Sequence, residues 1–117
     1  MAGLTTHILD LTHGTPASNV KIELYIQCDD EWQLLMSTVS NSDGRIDKPL
    51  LSAENMISGV YELIFHIGEY FQSKQLDLPE PAFLDKVPVR FSIADTTAHY
   101  HVPLLISPWG YQVYRGS

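Results

Sequence analysis

Five histidines, one cysteine and a few arginines are the side chains here best suited to proton transfer, metal binding or anion binding. His99-Tyr100-His101 places two imidazoles two residues apart, so on a strand both project from one face. Neutral imidazole is a common metal ligand, and with an ordinary pKa of about 6.5 it exchanges protons near neutrality. Two chemistries follow. One is a zinc hydrolase, with His7 as third ligand and an open position for water. The other is metal-free acid–base catalysis by fixed imidazoles. His-X-His alone does not separate them, and no spacing specific to a metal motif occurs. Alone, His7 reads as a hydrogen-bonded strand histidine, while His13 and His66 fall to a turn and a strand face. Arg45 sits in Asp43-Gly44-Arg45-Ile46, read as a turn entering a short strand, where an arginine is most often a solvated charge. Cys28 precedes Asp29-Asp30-Glu31, neighbours that raise a thiol's pKa and make it a poor nucleophile. The sequence lacks a Gly-X-Ser-X-Gly elbow and a phosphate-cradling glycine loop.

The end of the chain, Tyr114-Arg115-Gly116-Ser117, adds a guanidinium and a hydroxyl. Polar chain ends usually fray into solvent. This one follows Leu104-Leu105-Ile106-Ser107-Pro108-Trp109-Gly110-Tyr111, a strand and a turn, and is expected to lie against structure where both groups can meet a ligand.

These residues must be carried by strands. Alternation of period two recurs along the chain. It predicts strands at Leu4 to Leu11, Val20 to Gln27, Trp32 to Val39, Val60 to Ile67, Val87 to Ala94 and His99 to Ser107. Turn chemistry separates them at Gly14-Thr15-Pro16, Asn41-Ser42-Asp43-Gly44, Ser58-Gly59, Asp95-Thr96-Thr97 and Ser107-Pro108. A short helix is expected over Glu69 to Leu76, a helical turn at Ser52 to Asn55, and an ordered proline-rich loop over Asp77 to Lys86. Many short strands in 117 residues predict one all-β domain, a two-sheet sandwich. Two strands are apolar on both faces. Beside His99 and His101 stand Pro103 and Leu105, and His7 shares its face with Leu9 and Leu11. Such strands are covered on both sides. In a chain this small the second cover is expected to be another subunit, with His7 and His101 at the junction.

Composition narrows the partners. Seven Lys and Arg against fourteen Asp and Glu give a net charge of -7, which argues against nucleic acid and anionic membrane as partners. One cysteine forbids an intrachain disulfide. No apolar stretch is long enough to span a bilayer, and no signal peptide is expected at the N-terminus. Cytoplasm is therefore the default compartment, with periplasm and peroxisome left open.

Taken together, Leu4-Thr5-Thr6-His7-Ile8-Leu9-Asp10, Gly14-Thr15-Pro16-Ala17, Asp43-Gly44-Arg45, Tyr100-His101-Val102-Pro103-Leu104-Leu105, Ser107-Pro108 and the terminal Tyr114-Arg115-Gly116-Ser117 resemble the 5-hydroxyisourate hydrolases, the transthyretin-related enzymes of urate breakdown. The resemblance runs from Leu4 to Ser117. It implies a transthyretin-like sandwich of about eight strands with a short helix. It also implies a homotetramer whose central channel carries two-subunit active sites at its mouths. His7 and His101 would share the proton transfers on water and the leaving nitrogen, and Arg45 would hold purine oxygens or the oxyanion. Ser117 would hydrogen-bond substrate or water through its hydroxyl or the terminal carboxylate. Arg115 would orient the tail or add positive potential, Tyr114 would point into the channel, and His99 would be a lesser contributor. No metal or cofactor is required on this reading. A transthyretin-like carrier without turnover and a plain interaction domain are the other classes; the carrier lacks the histidine pair and the tail.

Overall fold

The computed structural model describes residues 2–116. Among these residues nine strands build two sheets. The strands are β1 (Gly3–Asp10), β2 (Thr15–Pro16), β3 (Lys21–Cys28), β4 (Glu31–Val39), β5 (Leu51–Ser52), β6 (Gly59–Phe65), β7 (Val87–Ile93), β8 (His99–Ser107) and β9 (Gly110–Val113). One sheet has the order β2-β1-β8-β9, with β5 also pairing β1; the other has the order β4-β3-β6-β7. All the pairings between named strands are antiparallel except β1 with β8, which run parallel over eight residue pairs from Gly3↔His99 to Asp10↔Ile106. That pairing joins the two ends of the sequence.

The six alternating runs become β1, β3, β4, β6, β7 and β8; all but β4 turn a buried apolar row onto the opposite sheet, whereas β4 holds no buried residue and forms as an edge strand on β3. Leu4 and Ile8 of β1, Leu104 and Ile106 of β8, Ile22 and Leu24 of β3, and Tyr61, Leu63 and Phe65 of β6 are fully buried between the sheets. Burial of this kind is worth about 1.5–3 kcal/mol per large apolar side chain. The short strands β2, β5 and β9 escape the period-two reading. The first two hold only two residues each, and all four residues of β9 are exposed, so none carries a buried row.

The helix, α1, spans Ile67–Gln72 and starts earlier than expected. Ile67 is fully buried, and Gly68 lies so close to the 84–85 backbone that its amide donates to the Asp85 carbonyl at 2.8 Å. Packing thus draws the first turn onto the end of β6. Gln75, at φ 58°, breaks the helical path before Leu76. The helical turn is a short 3-10 segment at Ala53–Asn55.

Asp10 fixes α1 to the sheet. Its fully buried carboxylate accepts from the Tyr70 hydroxyl at 2.7 Å and the Thr12 amide at 2.9 Å, and pairs with His13 Nδ1 at 2.6 Å. Burial alone would push this carboxyl up. The hydrogen bonds from Tyr70 and His13 outweigh it and hold Asp10 below the ordinary aspartate range. The same contact and burial push the Tyr70 hydroxyl well above its usual value. No helix among the described residues is long and apolar enough to cross a membrane.

Candidate active site

The parallel register of β1 on β8 builds the site. Thr5 lies beside His101 and His7 beside Pro103, while Leu4, Thr6, Tyr100 and Val102 turn inward. Thr5, His7 and Leu9 therefore share the outward face with His99, His101, Pro103 and Leu105. Except for exposed His99, these residues are neither fully buried nor freely exposed. The two rows expected to need an outer cover thus form one continuous surface.

His101 is held from several sides. Its Nδ1 shares a hydrogen bond with Thr5 Oγ1 at 2.8 Å, and the same hydroxyl meets His99 Nε2 at 3.2 Å. The His101 carbonyl accepts from the Gly116 amide at 2.7 Å in an isolated bridge. Gly116 lies against the ring itself, since a Cβ there would stand 2.8 Å from His101 Cδ2 and 3.2 Å from Pro103 Cγ. Glycine is the residue that lets the tail cross this close. Burial first, then the positive charges of Arg45, His7 and His99, hold the His101 pKa below the ordinary histidine value; a hydrogen bond to the Thr5 backbone opposes them in part. At neutral pH His101 is a neutral imidazole with a lone pair to offer.

Arg45 arrives from the loop after β4. It stands in a bend and not at the entrance to a strand, because the next strand, β5, begins only at Leu51. The bend is set by Asn41, whose side-chain oxygen accepts from the amides of Asp43 and Arg45 at 2.9 and 3.1 Å. Gly44, at φ 74°, presses on β1: its carbonyl accepts from the Ile8 amide at 2.8 Å, and a Cβ would clash with the Ile8 carbonyl oxygen. Arg45 is exposed and, among the described residues, has no carboxylate within ion-pair distance. It follows Gly44 at the residue of β1 next to His7, and its charge reaches His101.

Arg115 is committed elsewhere. Its guanidinium lies 4.1 Å from the centre of the Tyr100 ring and donates to the His99 carbonyl at 3.3 Å. It thereby fastens the tail across β8. Tyr114 is exposed, and with Arg115 it lines a cleft of about 430 Å³ beside Val89, Phe91, Tyr100 and Val102. Neither this cleft nor one of about 410 Å³ near Cys28 and Tyr61 includes the imidazoles. Ser117 lies outside the described residues. Among those residues no three His, Cys, Asp or Glu side chains gather as a metal-ligand set, so His7, His99 and His101 do not form the zinc triad considered from sequence.

The other histidines serve the scaffold. His13 sits in the turn after β1 on Asp10, and His66, buried between β6 and α1, pairs with Glu23 at 2.7 Å. Cys28 is exposed. Thr5 is the site neighbour that sequence reading passed over. Its signal was its place two residues before His7 on the same strand face, but its partner could be named only once β1 was known to run parallel to β8.

The description of the family whose model matches residues 4–116 is the HIUase/Transthyretin family. A relative named 5-hydroxyisourate hydrolase 2, from Rhizobium meliloti (strain 1021), is 54% identical over 114 residues, 97% of this chain and 95% of its own length. The solved Klebsiella pneumoniae 5-hydroxyisourate hydrolase is 33% identical, with a TM-score of 0.82 and full coverage of both chains. The chain also overlays a crystal structure of (S)-allantoin synthase at TM-score 0.92 and 41% identity, covering 99% of itself but spanning only 44% of that longer protein. With its two-sheet sandwich, its short helix and a match over nearly its whole length, the chain belongs to the HIUase/transthyretin family.

Proposed function

We infer that this protein hydrolyses 5-hydroxyisourate to 2-oxo-4-hydroxy-4-carboxy-5-ureidoimidazoline, a step of urate breakdown. The observation that carries the reading beyond family membership is the outward face of the β1–β8 pair, where two imidazoles stand under the Arg45 charge and, among the described residues, no carboxylate pairs with them. Ring opening at a cyclic amide needs a proton taken from water, a stabilised oxyanion and a proton for the departing nitrogen. His101, neutral at working pH, suits the first task through Nε2. His7, from the neighbouring strand, suits the return of a proton to the nitrogen. Arg45 offers a planar fork for the purine oxygens or the oxyanion. Arg115 holds the tail on β8, and Tyr114 and Ser117 complete the proposed substrate contacts. No step in this scheme calls for a metal or a cofactor.

The same reading takes the protein as a homotetramer. Leu9, Pro103 and Leu105 give the outward face an apolar surface beside the imidazoles, and a second chain laid on it would turn an open face into a walled channel. The compartment is taken as the cytoplasm, which cell fractionation checks.

The decisive assay follows the ultraviolet decay of freshly generated 5-hydroxyisourate. Acceleration by purified protein is expected, and decay no faster than in buffer overturns the reading. Saturable binding of an aromatic ligand without turnover would instead mark a carrier. Sedimentation at micromolar concentration is expected to give the tetramer, and a monomer there rejects it.

A further inference from the structure

A hydroxyl carries one proton, so a threonine placed between two ring nitrogens donates to one and accepts from the other. Thr5 Oγ1 stands between His101 Nδ1 at 2.8 Å and His99 Nε2 at 3.2 Å. Which nitrogen of an imidazole is protonated is set by the hydrogen bond made at the other. If His101 donates through Nδ1–H, Thr5 passes its own proton toward His99, and the lone pair of His101 lies on Nε2. In the opposite order that lone pair is spent on Thr5, and Nε2 bears a hydrogen.

We propose that Thr5, backed by His99, is the positioning residue that holds His101 as its Nδ1–H tautomer and fixes the ring with Nε2 toward the substrate. The inference rests on the hydrolase reading and deepens it: the pair plays the part of the third group that orients a catalytic base. It also gives His99 a use that its exposed place at the start of β8 does not suggest. A nonpolar residue at position 5 would keep the strand and lose the selection, since an unrestrained neutral imidazole populates both tautomers. The charged groups that bear on His101 are Arg45 from the loop, His7 from β1 and His99 on its own strand, all cationic when charged.

Three variants and two readouts decide it. Thr5→Val keeps the β-branched shape without the hydroxyl, Thr5→Ser keeps the hydroxyl, and His99→Ala removes the outer acceptor. Imidazole nitrogen NMR is expected to find His101 protonated on Nδ1 in the wild type and in Thr5→Ser, and mixed in Thr5→Val and His99→Ala. Turnover of 5-hydroxyisourate is expected to fall about 10- to 100-fold in kcat for Thr5→Val, the usual cost of losing an orienting partner, with KM within about threefold. Thr5→Ser should restore most of it. A wild-type His101 protonated on Nε2, or a Thr5→Val protein with wild-type tautomer and kcat, overturns the assignment. Wild-type protein without turnover would sink the hydrolase reading instead, and the NMR result would still judge Thr5.

Discussion

The two sheets treat their outward faces in opposite ways. On the β4-β3-β6-β7 sheet, charge is paired side to side. Arg90 meets Glu62 at 3.0 Å and lies 4.7 Å from the centre of the Trp32 ring, and Glu23 is tied to His66. The His66 hydrogen bond holds Glu23 below the ordinary glutamate range. On the β1–β8 face, a hydroxyl links two imidazoles and, among the described residues, no carboxylate pairs with them. The first face is finished in that Arg90, Glu62, Glu23 and His66 all meet partners. The second has, among the described residues, Arg45 without an ion-pair partner and an apolar row of Leu9, Pro103 and Leu105 turned outward. A surface in that condition is built for something that arrives, whether an electron-rich substrate or another chain.

If that contrast is real, substitutions on the two faces must have unequal effects. The largest are expected on the β1–β8 face. His7→Asn and His101→Asn should each lower the rate on 5-hydroxyisourate by about a hundredfold or more, as lost acid–base catalysis does. Arg45→Met should cost about 100- to 1000-fold in kcat if its fork meets the oxyanion. Wild-type rates in any of the three, measured in the decay assay, would remove that residue from the scheme.

Next comes the joint that keeps β1 in register. Asp10→Ala strips the partner from the buried Tyr70 hydroxyl and the turn amides, and should destabilise the fold by about 1–3 kcal/mol in urea unfolding. The wild type should show a matching pH dependence. The Asp10 carboxyl is depressed in the fold, so its contribution is complete above the unfolded aspartate value of about 3.9 and is lost as pH falls through the lower folded value. The variant should lack that component; identical acid profiles would refute the joint.

A smaller effect tests the electrostatics directly. Arg45 depresses the His101 pKa, so Arg45→Met should move the NMR titration of His101 upward. A downward move or none would show that the charge does not reach the ring. Smallest of all, Arg90→Ala on the finished face should change stability by less than about 1 kcal/mol, as exposed ion pairs do, and leave turnover unchanged.

Much of this was legible in the chain. The alternation from Val20 to Gln27, and again from Val60 to Phe65, names inner and outer faces correctly because period two is fixed by the backbone of any strand, while the expected strand end at His66 and Ile67 is buried and turned into α1. The same alternation marked His7, Leu9, Pro103 and Leu105 as an outward row too apolar for open water. Arg45 was placed at a strand entrance in error. Its bend depends on Asn41 and on Gly44 docking against Ile8, contacts between segments that no local pattern encodes. The start of α1 was missed for a similar reason, since the buried place of Ile67 and Gly68 is decided by the 84–85 backbone.

What the sequence determined by itself was inventory and facing: which imidazoles share a strand face, which rows are apolar, and which family the ordered motifs resemble. Only the tertiary structure decided adjacency. The parallel pairing of the first long strand with the last brings Thr5 to His101 across 96 residues of chain and lays Gly116 on the same ring. Strand order and register are settled by which apolar rows can be buried together. That is a property of the whole core, and no single strand carries it.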